Sequence, residues 1–98
     1  MMDVKQTRTG NQLTVAIKGR IDTVTSAELS EAVALDGIDD LTLDFGAVDY
    51  MSSAGLRCIL TFQKTLARRG GTMKLVKVGA VVREVLEMTG FSDFLTII

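Results

Sequence analysis

The residues best placed to do chemistry are two adjacent hydroxyls, Ser52 and Ser53, in the run Tyr50-Met51-Ser52-Ser53-Ala54-Gly55-Leu56. The run joins an extended stretch to a helical one, so Ser53 stands where a helix begins. A hydroxyl there has an ordinary structural use: it accepts a hydrogen bond from an orphan N–H of the first turn. The position also suits an anion, because free N–H groups and the helix dipole favour negative charge. Ser52, Ser53, Ala54 and Gly55 are all small, so another protein's backbone or active site can approach closely. Tyr50 and Met51 beside them offer apolar docking surface, or core packing in the case of Met51.

Nucleophilic catalysis at Ser53 would need a base. The chain has no His, so neither a Ser-His-Asp nor a Cys-His site can be built from it. No Lys is placed near Ser53 by sequence to form a Ser-Lys pair. One Cys and no His also exclude the common zinc constellations. The carboxylates are dispersed, and neither a metal site nor a cofactor is expected. Cys58 reads as a small buried hydrophobe. Asp22 precedes a helix, where a carboxylate biases the N-terminus or contacts a partner. The chain is expected not to be an enzyme.

The elements that must position these residues can be read from apolar periodicity. A chain of 98 residues suits one domain, 1–98. With no Pro to interrupt them, the patterns run cleanly between glycines. Val4 to Thr9 is a first strand and Gly10-Asn11 a turn. Leu13, Val15 and Ile17 then alternate with polar or small residues, the period of a half-buried strand. Gly19-Arg20-Ile21-Asp22 leads to a helix whose Thr25 and Glu28 have capping-box spacing and which Asp36-Gly37 ends. Leu41 to Phe45 is a central strand, Gly46-Ala47 breaks it, and Val48 to Met51 is a short extended piece.

From Ser53 the period is helical, with Leu56, Ile59, Leu60, Phe62 and Leu66 on one face and Gly70-Gly71 as the stop. Arg68 and Arg69 sit at the end of that helix, where cations meet the dipole favourably. Met73 to Val78 is a strand. Ala80 to Met88 is a helix burying Val82, Val85 and Leu86, capped by Thr89-Gly90, with Phe91 folding back. Phe94 to Ile98 is a last edge strand or a packed tail. The predicted fold is therefore α/β, ordered ββαβαβα plus that terminal segment: a mixed, mostly parallel sheet with interleaved helices.

At Tyr50 to Leu56 the chain resembles the phosphorylation loop of STAS domains, specifically the bacterial anti-sigma factor antagonists. That pattern runs aromatic, aliphatic, Asp or Ser, the phosphorylated Ser, a small residue, Gly and Leu. Gly19-Arg20-Ile21-Asp22 resembles the family's Gly-Glu-Leu-Asp, and Val85 to Phe91 matches its C-terminal segment. The chain departs from the pattern at Ser52, where many members have Asp, and at Arg57, where many have Gly.

The resemblance implies partner switching. The unphosphorylated protein would bind an anti-sigma factor that is also a Ser kinase, releasing a sigma factor to regulate transcription. Phosphorylation at Ser53, with Ser52 the less favoured acceptor, would weaken that binding, and a phosphatase would reverse it. Asp22, Tyr50, Met51, Ser52, Ala54, Gly55 and Arg57 would face the partner. The alternative is a regulatory STAS subunit of a lipid ABC-type transporter or a larger signalling complex, without a phosphoswitch.

Net charge of −1 argues against a nucleic-acid partner. No stretch approaches the ~20 apolar residues of a membrane span. The polar start, Met1 to Gly10, lacks a signal-peptide core. A monomer in the cytoplasm is expected, in keeping with the single Cys.

Overall fold

The structure is a computed structural model that describes residues 2–90 and 95–98. Two strands, β1 (Asp3–Thr9) and β2 (Gln12–Ile21), form the expected hairpin. Gly10 occupies the turn with φ of 61°, a conformation that costs glycine little. There follow α1 (Thr23–Ala32), β3 (Asp40–Met51), α2 (Ser53–Ala67), β4 (Thr72–Val76), α3 (Ala80–Met88) and β5 (Thr96–Ile97). The sheet runs β1-β2-β3-β4-β5, antiparallel between β1 and β2 and parallel thereafter. Successive parallel crossovers stepping in one direction, each right-handed, place their helices on one face of the sheet. The other face stays open.

Burial follows this arrangement. Leu13, Val15 and Ile17 of β2, Leu41, Leu43 and Phe45 of β3, and Met73 and Leu75 of β4 point into one core. Leu29 of α1, Leu56, Ile59, Phe62 and Leu66 of α2, and Val82 and Leu86 of α3 close it from above. Val85, expected in that set, is only half-buried at its margin. Strand residues of the other parity, such as Thr14, Thr42 and Lys74, face outward and are polar.

The central strand is longer than its alternation suggests. Gly46-Ala47 does not end it, and β3 continues to Met51. The pairing with β2 shifts twice: Ala16 and Lys18 face Asp44 and Ala47, then Gly19 and Arg20 face Val48 and Tyr50. Each shift inserts one extra β3 residue, a β-bulge. Buried positions consequently step by three, Phe45, Val48 and Met51, where an unbroken strand steps by two. Period two breaks at Gly46-Ala47 because the strand is bulged there, not because it ends.

Two helix boundaries also differ from expectation. α1 begins at Thr23 with Asp22 as its N-cap. The capping box is Asp22 with Thr25, not Thr25 with Glu28: Asp22 Oδ1 accepts from the Thr25 N–H at 3.0 Å, and Thr25 Oγ1 accepts from the Asp22 N–H at 2.7 Å. The helix stops at Ala32, four residues before Asp36-Gly37; Val33 turns to extended backbone but stays buried. Arg69 steadies this junction by donating to the Leu35 carbonyl at 2.7 Å. β4 ends at Val76, and Lys77 takes a left-handed φ of 57°. That conformation costs a side-chain-bearing residue about 1–2 kcal/mol. Phe91 and Phe94 lie outside the described residues, and β5 accounts for part of the terminal segment.

Leu43 is fully buried in mid-β3, so Leu43→Ala should cost about 2–5 kcal/mol through lost transfer energy and the cavity left behind. Thr42→Ala, one residue away on the open face, should cost under about 1 kcal/mol. Urea unfolding of the two variants measures both; equal losses would contradict the one-sided core.

Candidate functional site

The Ser52–Ser53 loop and the turn before α1 are held together as one rim. Arg20 pairs with Tyr50 and Ile21 with Met51 across β2 and β3. One further backbone bond, from the Ser52 N–H to the Ile21 carbonyl at 2.9 Å, pins the loop after the strands end. The two helix N-termini, α1 after Asp22 and α2 after Ser52, thus open at the same end of the sheet, beyond the C-terminal ends of β2 and β3.

The two serines divide their roles. Ser52, not Ser53, is the N-cap of α2: its Oγ accepts from the Gly55 N–H at 3.3 Å, and its carbonyl accepts from the Leu56 N–H at 3.0 Å. Ser53 is the first helical residue and is exposed. Its hydroxyl is not consumed by capping and faces solvent beside the N–H groups of a first turn that carries no acidic residue. Arg57, one turn further on, is exposed as well. At (i, i+4) spacing it lies on the same helical face as Ser53.

Beneath the loop lie residues expected at its surface. Met51 is 2% exposed and belongs to the core. Gly55 is buried, and a Cβ there would come within 2.8 Å of both Ile21 Cγ2 and Met51 Cγ. These two residues support the rim from inside and present no side-chain surface, so their place among partner-facing residues is corrected. Ala54 and Ser52 are half-buried, while Tyr50 is 39% exposed.

A residue outside the expected set joins the rim. The Arg20 guanidinium lies over the Tyr50 ring, 4.3 Å from its centroid, a contact worth about 0.5–1 kcal/mol at an exposed site. Arg20 Nε is also 3.8 Å from Asp22 Oδ2, a long exposed ion pair that adds little stability but orients both charges. Asp22 is the most constrained group here. Its carboxylate accepts from the N–H groups of Thr25 and Val24. The Thr25 backbone hydrogen bond, chiefly, holds its pKa below the usual carboxylate range, with the Thr25 hydroxyl, the Val24 N–H and Arg20 assisting against desolvation.

Cys58, on α2, is buried, and its Sγ lies 3.1 Å from Ser30 Oγ on α1. Burial pushes its thiol pKa up, so it serves packing between the helices. Among the described residues no cluster of three His, Cys, Asp or Glu is arranged to hold a metal, and no helix is long and apolar enough to cross a membrane.

A family model for the STAS domain matches residues 3–98. The chain belongs to the STAS domain family. The anti-sigma factor antagonists of that family are a regulatory, non-catalytic kind of protein. It is 31% identical to the anti-sigma-B factor antagonist of Bacillus subtilis over 99 residues, covering 98% of this chain and 88% of the relative. It is also 31% identical over 93 residues to BtrV of Bordetella bronchiseptica, named as a candidate anti-sigma factor antagonist; 92% of this chain and 80% of BtrV are covered. The fold matches the Bacillus anti-sigma factor antagonist SpoIIAA. In its unphosphorylated form the TM-score is 0.85 at 15% identity, over 98% of this chain and 88% of that one. In its phosphorylated form the TM-score is 0.71 at 17% identity, over 98% and 91%.

Three substitutions read out this STAS rim. Ser52→Ala removes a cap and should cost about 1 kcal/mol, whereas Ser53→Ala should stay within about 0.5 kcal/mol of wild type in denaturant unfolding. Equal losses would mean that the two serines do not divide their roles in this way. Asp22→Asn keeps an acceptor but loses the charge. Because the folded carboxyl is held low, its charged form stabilises the fold above the ordinary carboxylate pKa, and that contribution disappears as pH falls through the lowered value. The melting temperature of Asp22→Asn should therefore lie below wild type at pH 7, with the two converging in acid; a gap independent of pH would contradict the assignment.

Proposed function

We propose that this protein is an anti-sigma factor antagonist whose binding is switched by phosphorylation of Ser53. The observation that carries the reading is the division between the serines. Ser52 caps the helix, which leaves the Ser53 hydroxyl exposed at the first helical position, within reach of a kinase. The two relatives at 31% identity, both named for anti-sigma factor antagonism, support the partner class.

The chemistry suits a switch that alters binding without unfolding the domain. Phosphorylation adds about −1.5 to −2 charges and strong acceptor oxygens. At the start of α2 the dipole and the uncapped N–H groups favour that charge, and Arg57 can reach it. The consequence falls on the partner, whose surface must match a neutral hydroxyl among small residues. A penalty of ~1.4 kcal/mol already weakens binding tenfold.

The partner in this reading is an anti-sigma factor with Ser kinase activity, which brings ATP and magnesium, and a phosphatase resets the switch. Ala54, the half-buried Asp22 and the exposed Tyr50 and Arg57 frame the contact. Such a role operates in the cytoplasm, by a protein acting as a monomer, without catalysis or a cofactor of its own.

Mass spectrometry of the protein recovered with its native partners should find phosphate on Ser53. Ser53→Ala should retain the anti-sigma factor and Ser53→Asp should lose it by at least about tenfold. If both variants bind like wild type, the switch is wrong. If a transporter ATPase is recovered instead, the sigma pathway is wrong. Circular dichroism should show helix content unchanged on phosphorylation.

A further inference from the structure

The open face of the sheet carries a groove of about 590 Å³, a volume within the usual range for small-molecule sites. Its floor is made of small residues: Ala16 of β2 and Gly46 and Ala47 at the first β3 bulge. Three lysines surround it, Lys5 on β1, Lys18 on β2 and Lys77 after β4. Their backbones span three strand spacings, about 14 Å. All three line the groove around that floor.

Two aspartates share the groove, and one of them is already committed. Asp44 Oδ1 accepts from the Gly46 N–H at 2.8 Å, and Asp44 Oδ2 lies 3.7 Å from Lys77 Nζ. Asp3 faces Lys18 in the β1–β2 register, but no carboxylate comes within 4.0 Å of Lys18 or Lys5 among the described residues. The lysine charge therefore exceeds the carboxylate charge, with the excess on the Lys5 and Lys18 side.

A second observation singles out Lys77. It is the one non-glycine residue with positive φ among the described residues. Its side chain is 72% exposed, and its Cδ lies over the floor, 3.3 Å from where a Gly46 Cβ would be.

We propose that this groove binds a small anion bearing two or more phosphate groups, held by Lys5, Lys18 and Lys77 above Gly46. Lysine binds phosphate as a point charge, and the distance between the three lysines suits several linked phosphates better than one. The site is separate from the Ser52–Ser53 loop, although β3 runs through both.

Titration of the full chain with tripolyphosphate at low ionic strength, followed by ¹⁵N-resolved NMR, should give saturable shifts at the amides of Lys5, Lys18, Gly46 and Lys77. Lys5→Gln with Lys18→Gln should weaken binding at least about tenfold. Lys64→Gln on α2 should leave it unchanged. Lys77→Gly should raise the melting temperature yet weaken binding, which separates loss of the ammonium from loss of fold. Non-saturating shifts spread over Arg68 and Arg69, undiminished binding by the double variant, or equal weakening by Lys64→Gln would overturn the proposal. So would retention on phosphatidylglycerol vesicles with no response to tripolyphosphate.

Discussion

The pairing of β2 with β3 is the constraint on which the rest depends. It is the longest parallel contact in the sheet, and it fixes the core and the rim together. Below the first bulge it aligns Leu13 and Val15 with Leu41 and Leu43, the centre of the apolar layer. Above the second bulge it sets Arg20 beside Tyr50 and delivers the Ile21 carbonyl to the Ser52 N–H. In an unbroken period two from Phe45, Val48 would face outward; the first bulge returns it to the core, and the second does the same for Met51. The bulges thus reconcile a buried strand with an exposed loop at its end.

Local signals made most of the fold legible. Period-two runs marked the strands, a broad apolar face marked α2, and glycines marked the turns. What misled were features decided across the chain. Period two fails at a bulge, so β3 read as two pieces separated by Gly46-Ala47. The α1 cap was misplaced because Thr25 and Glu28 satisfied a familiar spacing, although Asp22 and Thr25 satisfy a reciprocal one just as well. Val33 and Leu35 extended the apparent helix because burial continued after the backbone had turned.

The rim was legible in part. Ser53 at the start of a helix and Asp22 just ahead of another were both visible in the sequence. Their division of labour was not, because a choice of cap between adjacent serines rests on one residue's backbone angles. Met51 and Gly55 stood in a surface-looking run yet serve the interior. Gly55 lets α2 approach Ile21 closely, which no local pattern reveals. Arg20 was missed as a site residue because its partner Tyr50 lies thirty positions away, joined only through parallel register.

Chain order and sheet order are identical, and this bears on how the domain assembles. Each new parallel strand joins the edge made by the strand just before it, so no segment must be inserted between two others. Loop closures stay short, which keeps their entropic cost low. A chain emerging from its N-terminus can lay down the hairpin first and then extend the sheet one crossover at a time. The vulnerable interval falls while β3 still offers its bare edge, before Thr72 to Val76 arrive to cover it. The α2 helix, which must form between the two, is thus both the carrier of Ser53 and the spacer that governs how long that edge stays open.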